Sequence, residues 1–285
     1  MSAEQVQGAR LYCGVDLGST TTKVALVDQA GSLIGWSVRS TGVDYGAAAQ
    51  RGRSEALGRA GADPAAIVRT VATGYGRGNV DFADETRTEI LCHGVGVYHH
   101  FPRAVTIVDI GGQDTKIIRL DEKGRRVHFR MNRKCAAGTG SFLEEIALRL
   151  DVPVSSLESL ASSTTEVASL SSFCTVFAKT EILSHLRRGV SAAALVRGAF
   201  ASVVARVVEM DPLEGDVVMT GGVVAHNPTV ALMLEQRLGR TVRVAPHPQL
   251  SGAFGAALIA RASEDALSGS DETHGAQTPM EHRDA

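Results

Sequence analysis

Several features that mark specialised protein classes are scarce in this chain of 285 residues. It has four cysteines and no C-x-x-C pair, too few for the disulfide framework of a small secreted protein. The formal net charge of −2 gives no electrostatic reason to expect nucleic acid or an anionic membrane as a partner. The apolar stretch 195–210 contains three charged residues, which is not typical of a transmembrane helix. The first ten residues are polar, and the apolar run after them is too short for a secretory signal, so we expect a cytoplasmic protein.

Two common nucleotide-binding motifs are also absent. No G-x-x-x-x-G-K-[ST] loop occurs, and no G-x-G-x-x-G follows a predicted strand, which argues against a P-loop fold and a dinucleotide site. The chain is instead 44% hydrophobic with only 5% aromatic residues, a composition typical of an α/β protein rich in Ala, Val and Leu. Short apolar strands and longer helical segments are predicted up to residue 262. The polar composition of 263–285 predicts a disordered tail.

The segment 16–28 repeats at 109–121 without a gap. Five of its thirteen positions are identical at this offset of 93 residues, and all five are turn or polar residues. The matching pairs are Asp16 and Asp109, Gly18 and Gly111, Thr22 and Thr115, Lys23 and Lys116, and Asp28 and Asp121. Because each copy follows an apolar run typical of a buried strand, the sequence predicts two copies of one β-rich unit.

Each copy of the repeat carries a loop suited to a phosphate group. Glycine lets the backbone approach a ligand closely, and successive N–H groups in a tight turn form an anion-binding site. A carboxylate in such a loop would repel phosphate unless a cation lies between them, so Asp16 and Asp109 are predicted to hold Mg²⁺, mainly through water. Gln113 and Asp114 are the candidates to position the attacking water. The predicted phosphate-binding residues are Gly18, Ser19, Thr20, Thr21 and Lys23 in the first loop and Gly111, Gly112 and Lys116 in the second.

A third glycine-containing segment follows the strand predicted at 216–219. Gly221 and Gly222, with Asn227 nearby, would let an adenine or ribose lie against the backbone. Asp and Gly are also common turn residues, so either loop alone is as typical of an ordinary hairpin turn. The two loops and the glycine pair together favour an ATP site between two halves. The glycine-rich segment 74–78 is interpreted as a connector.

The order of these segments carries a resemblance. They read DLGSTTTK, DIGGQDTK and MTGGV, and they are similar to the two phosphate motifs and the adenosine motif of the acetate kinase/sugar kinase/Hsp70/actin superfamily. The resemblance covers residues 10 to 262. It implies two RNase-H-like domains that close on ATP or ADP and Mg²⁺ in an interdomain cleft. The expected domains are 10–101, completed by a C-terminal helix at 251–262, and 102–250, followed by the tail 263–285.

The four cysteines differ in their surroundings. Cys13 lies in an apolar strand and Cys92 on an apolar helix face, both typical of buried thiols. Cys135 and Cys174 each precede a predicted helix, whose N-terminus favours a thiolate and suits a metal ligand or a reactive thiol. Two thiolates cannot complete the four ligands of a 4Fe–4S cluster, but two-fold symmetry in a dimer would supply the other pair. Four free thiols remain the alternative.

The residues around Cys135 and Cys174 carry a second resemblance. They read NRKCAAGTGSF and SFCTVFAKTEI, and they closely resemble the two cysteine segments of the activator family that serves 2-hydroxyacyl-CoA dehydratases and benzoyl-CoA reductases. The resemblance implies a homodimer, or a heterodimer with a paralogous ATP-binding subunit, that holds one 4Fe–4S cluster between its subunits. It also implies that ATP hydrolysis drives a low-potential electron to an iron–sulfur CoA-thioester reductase or dehydratase, with ferredoxin or flavodoxin as the donor. Gly138, Thr139 and Gly140 would touch phosphate and so link the nucleotide to the cluster.

Two positions depart from the family's dehydratase activators. Those proteins typically read AAGTGRF, whereas this chain has Ser141 in place of the arginine, and Arg133 replaces a more usual acidic or polar residue. Both departures leave the two cysteines intact. They favour the benzoyl-CoA reductase branch of the family.

Two other functions are compatible with the same fold. A small-molecule kinase of the sugar type would use Asp109 or Asp114 as its base, although no sugar-binding pattern is evident. A non-redox binding module would hydrolyse ATP only to time the release of a partner.

Overall fold

Ten strands form the centre of the computed structural model, which describes residues 10–132, 135–170 and 175–272. They are β1 (Leu11–Leu17), β2 (Thr21–Val27), β3 (Leu33–Ser40), β4 (Ile67–Thr73), β5 (Glu85–Thr86), β6 (Val105–Ile110), β7 (Thr115–Leu120), β8 (Arg126–Asn132), β9 (Val217–Thr220) and β10 (Val242–Val244). Two mixed sheets of five strands result, with the orders β3-β2-β1-β4-β5 and β8-β7-β6-β9-β10.

The two sheets have the same topology. In each, three consecutive strands form an antiparallel meander, and the fourth strand runs parallel to the first. Asp16 lies opposite Lys23 across β1 and β2, and Asp109 lies opposite Lys116 across β6 and β7. β1 and β6 are buried along their whole length because helices cover both faces of each sheet. The predicted α/β class built from two copies of one unit is confirmed.

Nine α-helices surround the sheets within the described ranges. They are α1 (Tyr45–Ala60), α2 (Glu89–His100), α3 (Gly140–Leu150), α4 (Leu157–Ser162), α5 (Thr175–Arg187), α6 (Ala192–Met210), α7 (Gly222–His226), α8 (Pro228–Leu238) and α9 (Ser251–Glu272). Asp44 caps α1 by accepting a hydrogen bond from the N–H of Ala47 at 2.9 Å, and α1 ends at Gly61, which has a φ of 64°. None of the helices in these ranges has the length and apolar character needed to cross a membrane.

The C-terminal helix is longer than the sequence predicted. The ordered chain was expected to end at 262, whereas α9 continues to Glu272. Neither proline nor glycine interrupts 263–267, and two contacts hold the start of this extension. Glu264 pairs with Arg10 at 2.8 Å, and Ser263 Oγ donates to Glu85 Oε1 at 3.0 Å. The helix itself therefore extends ten residues past its predicted end, and 273–285 lie outside the described ranges.

The sheets and helices stack in alternating layers. α1 packs on the outer face of the first sheet, while α3, α6 and α8 cover the outer face of the second through a core centred on Phe142 and Phe200. Between the sheets lie α2 and α9. α9 packs on β1, β2 and β4, and α2 packs on α9 and contacts β6, β7 and β8. This helix pair connects the two halves, while the division at 101 and 102 stays a prediction.

Glycine brings the backbones of α2 and α9 unusually close. A Cβ on Gly255 would lie 1.8 Å from the carbonyl oxygen of Cys92, and a Cβ on Gly96 would lie 2.3 Å from that of Ser251. Real Cβ atoms do not approach a backbone oxygen so closely, so a larger residue would force the helices apart. The position of α2 over the second sheet depends on this contact.

The Gly255→Ala variant is expected to lose about 2 kcal/mol or more of the free energy of unfolding, because the added methyl group overlaps the backbone of α2. Gly58→Ala is the matched control, since Gly58 lies within α1 and a Cβ there meets nothing within 4 Å. It should gain about 0.5–1 kcal/mol from reduced chain entropy. Urea unfolding followed by circular dichroism measures both. Equal stability of the two variants would contradict the close packing.

Candidate functional site

A cavity of about 920 Å³ lies between the two halves, beside the loops that follow β1 and β6. Its volume falls at the upper end of the range of small-ligand sites, about 300–1,000 Å³. The sequence-predicted residues that line it are Asp16, Gly18, Ser19, Thr20, Thr21, Lys23, Asp109, Gly111, Gly112, Gln113, Asp114, Lys116, Gly140, Gly221, Gly222 and Asn227. Of the predicted residues within the described ranges, Gly138, Thr139 and Cys135 are outside the lining.

Two buried carboxylates form the floor of the cavity, each beside a lysine of the neighbouring strand. Asp16 is 7% exposed and Asp109 is 3% exposed. Lys23 Nζ lies 3.3 Å from Asp16 Oδ2, and Lys116 Nζ lies 3.2 Å from Asp109 Oδ2. Both pairs follow from the strand register, because directly opposed residues point to the same face of a sheet. Burial opposes the ionised form of Asp109, but the neighbouring His93 and Lys116 side chains lower its pKa overall.

Lys116 is held more tightly than Lys23. Its Nζ also lies 2.8 Å from Asp114 Oδ1 and 3.2 Å from Glu89 Oε2. Burial opposes its charged form, but the surrounding carboxylates raise the pKa of Lys116 overall, and Asp109 makes the largest of these contributions. Lys116 is therefore a fixed counter-ion at the cavity floor. Lys23 pairs with a single carboxylate among the described residues, so it is the lysine better able to turn towards a phosphate.

The loops that follow β1 and β6 form the same turn and touch each other. In each, the glycine N–H donates to the carbonyl three residues on, at 3.1 Å for Gly18 and 2.9 Å for Gly111. Across the cavity, Ser19 Oγ donates to Gln113 Oε1 at 3.1 Å. A group bound by one loop is therefore within reach of the other.

Gly74, in the segment interpreted as a connector, lies directly beside the site. It follows β4 as Gly221 follows β9, with φ values of 92° and 99°. A Cβ on Gly74 would lie 2.7 Å from Asp16 Oδ1, and one on Gly221 would lie 2.8 Å from Asp109 Oδ1. Each glycine lets a strand end pass directly beside one carboxylate. The available signal was a second repeat, a Thr-Gly pair at 73–74 and again at 220–221.

α2 contributes two further residues that the sequence analysis missed. Glu89 and His93 are four positions apart, so both lie on the face of the helix that meets the cavity. Glu89 contacts Lys116, and His93 Nδ1 lies 3.7 Å from Asp109 Oδ1. Two polar residues at this spacing, in the otherwise apolar or glycine-containing stretch 89–97, were the signal.

The third glycine segment closes one end of the cavity. Gly221 immediately precedes α7, and Gly222, its first residue, lies beside the side chain of Gln249. Asn227 is 6% exposed, and its Nδ2 donates to the carbonyl of Val223 at 2.9 Å. These residues bring the two predicted glycines and Asn227 to one side of the cavity.

The start of α3 is bonded to the second loop. The N–H of Gly140 donates to the carbonyl of Gly111 at 2.9 Å, and Ser141 Oγ donates to that of Gly112 at 2.8 Å. Thr139 is fully buried, and its hydroxyl donates a hydrogen bond to the carbonyl of Ala136 rather than facing the cavity. The link between this segment and the loop therefore runs through 140 and 141 rather than through 138 and 139.

Cys135 lies four residues before Thr139, which precedes the first residue of α3. It is half-buried with a free thiol, and the side chain of Asn132 brackets its backbone. Cys174 lies outside the described residues. α5 begins at the next residue, Thr175, and packs against α3.

Cys13 and Cys92 have a different character. Both are fully buried, and burial raises the pKa of each thiol to about 12. They therefore remain protonated at neutral pH and are unsuited to bind a metal.

Known proteins are similar to this chain in sequence. The activator of lactoyl-CoA dehydratase from Anaerotignum propionicum is 43% identical over 250 residues, which cover 87% of this chain and 96% of that protein. One of the subunits of benzoyl-CoA reductase from Thauera aromatica is 26% identical over 260 residues, covering 87% and 92%. The identities thus favour the dehydratase activators over the reductase branch that Ser141 and Arg133 suggested.

A solved structure matches the fold over nearly the whole chain. The activator of 2-hydroxyisocaproyl-CoA dehydratase from Clostridium difficile, solved with bound ADPNP, has a TM-score of 0.84 and 36% identity, covering 94% of this chain and 100% of that one. The predicted fold of two RNase-H-like domains, shared with actin, Hsp70 and sugar kinases, is confirmed. The sequence profile of the BadF/BadG/BcrA/BcrD ATPase family matches residues 13–260, and the chain belongs to that family.

Proposed function

We propose that the chain is an ATP-hydrolysing iron–sulfur activator that passes a low-potential electron to a CoA-thioester dehydratase of the 2-hydroxyacyl type. The observation that carries the proposal is the bonding of the second loop to the start of α3. Gly140 and Ser141 donate to the loop, and Cys135 lies a few residues before them. A nucleotide that moves the loop would therefore move the cysteine segment.

Mg²⁺ fits the floor of the cavity. No group of three or more His, Cys, Asp or Glu side chains in the described ranges is arranged to hold a metal directly. Mg²⁺ needs no such group, because it keeps several waters and binds through one or two carboxylates and the phosphates of its nucleotide. Asp16 and Asp109 are the residues that would hold its water shell. Bound there, Mg²⁺ would neutralise charge that develops on the phosphates.

Gln113 is the better candidate to orient the attacking water. It is exposed to the cavity, whereas the Asp114 carboxylate is engaged by Lys116 at 2.8 Å. The same ion pair leaves Asp114 poorly placed as the base of a sugar kinase. Lys116 Nζ also lies 3.2 Å from Asp109 Oδ2, so the same lysine engages both candidate bases and the kinase alternative gains no support from the site.

A 4Fe–4S cluster fits a pair of chains rather than one. Cys135 is half-buried and free, while Cys13 and Cys92 are fully enclosed, so Cys135 and Cys174 of two subunits would supply the four thiolates. When bound, such a cluster supplies one-electron chemistry. The chain's own part is to hold the thiolates on segments that lead into α3 and α5. Ferredoxin or flavodoxin would supply the electron, and the dehydratase component would receive it.

Closure of the cavity around ATP would connect the two sites. The first loop meets the second through Ser19 and Gln113, and the second loop is bonded to α3. Drawing the halves together on ATP would shift the start of α3 with respect to α5, and release of phosphate would reverse it. This is domain closure coupled to a bistable interface.

Protein purified without oxygen tests the proposal. We expect a brown dimer with about four irons and four sulfides per two subunits, and visible absorption that falls on reduction. A colourless monomer that phosphorylates a sugar would instead support the kinase. A colourless protein that binds a partner only with ATP would support the switched binding module.

A further inference from the structure

His93 is a buried polar residue, and one of its two ring nitrogens has no hydrogen-bond partner. It is 6% exposed, and its Nδ1 makes no hydrogen bond although it is shielded from solvent. It also borders the nucleotide cavity. Leaving a buried donor or acceptor unsatisfied is unfavourable, so such a group in a cavity indicates a missing ligand or water.

The imidazole lies between the carboxylates of the two halves. Its Nδ1 is 3.7 Å from Asp109 Oδ1. On its other side, Nε2 lies 3.0 Å from the position that a Cβ on Gly252 would take, and Asp16 Oδ2 lies 3.1 Å from that same position. Gly252 is in the first turn of α9 and leaves this space open. The ring is thus carried by α2, one of the two helices between the sheets, and it borders the cavity that residues of both loops line.

We propose that His93 is a positioning residue of the nucleotide site, which holds Asp109 through Nδ1, directly or through one water, in the orientation that binds Mg²⁺ together with the nucleotide. The separation of 3.7 Å exceeds a hydrogen bond and would shorten as the halves close. Hydrogen bonds in active sites are often long before the ligand binds. The inference rests on the ATP site of the proposed function and on neither the cluster nor the partner.

The neighbouring charges explain why a histidine suits this position. Lys116 already holds Asp109 through the other carboxylate oxygen, and Lys23 holds Asp16. A further lysine would fill the space needed for the cation and its waters. An imidazole offers a hydrogen bond to the carboxylate or its water without a long charged chain.

Two amide variants distinguish the roles of the two ring nitrogens. His93→Asn places an amide nitrogen near the position of Nδ1, His93→Gln places one near Nε2, and His93→Ala removes both. The proposal requires that Asn restores function and Gln does not. All three are compared as the full chain, with thermal melting to establish that each is folded.

The measurement is the binding of ADP at increasing Mg²⁺ by isothermal titration calorimetry. We expect His93→Ala and His93→Gln to raise the half-saturating Mg²⁺ concentration about tenfold, the loss of one hydrogen bond to a charged group, with binding of ADP in the absence of Mg²⁺ unchanged. His93→Asn should stay close to wild type. Wild-type Mg²⁺ dependence in His93→Ala would overturn the proposal, as would equal values for Asn and Gln. Because this readout needs no iron, it remains informative if the electron-transfer function fails.

Discussion

Replacing Asp109 by asparagine is expected to lower the rate of ATP hydrolysis about 100-fold or more while leaving the protein folded. Asparagine has the same shape but no negative charge, so it would bind the Mg²⁺ water shell weakly. Lys116 would keep Asp114 at 2.8 Å and Glu89 at 3.2 Å, so removing one of its three carboxylates does not leave its ammonium group unpaired. The loss should therefore fall on catalysis and Mg²⁺ binding.

Asp121→Asn is the matched control. Asp121 is also an aspartate of the repeat, but it lies at the far end of β7, where it accepts hydrogen bonds from the backbone of Lys123 and Arg125. The Asp121→Asn variant should hydrolyse ATP at the wild-type rate with at most a small loss of stability. Release of phosphate at saturating Mg²⁺ and ATP measures both variants. An Asp109→Asn protein with wild-type turnover would show that the cavity floor is not the catalytic centre.

Replacing Cys135 by serine is expected to remove the iron while sparing the binding of ATP. Serine cannot replace a thiolate as a ligand of comparable strength, and a cluster shared by two chains would lose two of its four ligands at once. The nucleotide cavity does not include Cys135, so binding of ADP should stay within about twofold of wild type.

Cys92→Ala provides the comparison for Cys135→Ser. Cys92 is fully buried between α2 and α9, and burial raises its pKa to about 12. Its replacement should cost some stability through the small cavity left behind, but the iron content should not change. Iron and sulfide analysis of protein prepared without oxygen distinguishes the two. Full iron content in Cys135→Ser would exclude this residue as a ligand.

The sequence predicted β1, β6 and the polar turns that follow them because those features are local. Asp16 and Lys23 are close in the chain, and the register of one hairpin is enough to pair them. The repeat predicts the same pairing for Asp109 and Lys116 in the second sheet. The shared sheet topology follows from this duplication, so the fold class could be predicted without knowledge of tertiary contacts.

Residues brought to the site by distant packing were harder to predict. His93 reaches the cavity because α2 lies against α9 through glycines 255 and 96, a contact between segments more than 150 residues apart. Gly74 has its role because β4 runs parallel to β1, an arrangement that the repeated Thr-Gly pair does not specify by itself. Gly138 and Thr139 were predicted to touch phosphate, but the turn they form directs Gly140 and Ser141 to the loop instead.

The helix end at Glu272 shows another limit of composition. The polar residues after 262 are typical of a disordered tail, but an ion pair of Glu264 with Arg10 holds the first turn of the extension. The composition of a short sequence segment cannot reveal a partner 254 positions away in the chain. Polar composition alone therefore placed the boundary too early.

An ATP-driven electron donor is tested most directly by following its visible absorption during electron transfer. The reduced protein is mixed without oxygen with an oxidised 2-hydroxyacyl-CoA dehydratase component, and the absorption is recorded with ATP, with ADP or with neither. We predict that the absorption of the oxidised form returns with ATP and Mg²⁺, and that it stays low with ADP or without nucleotide. Equal rates with and without ATP, or no visible absorption to follow, would contradict the proposed function.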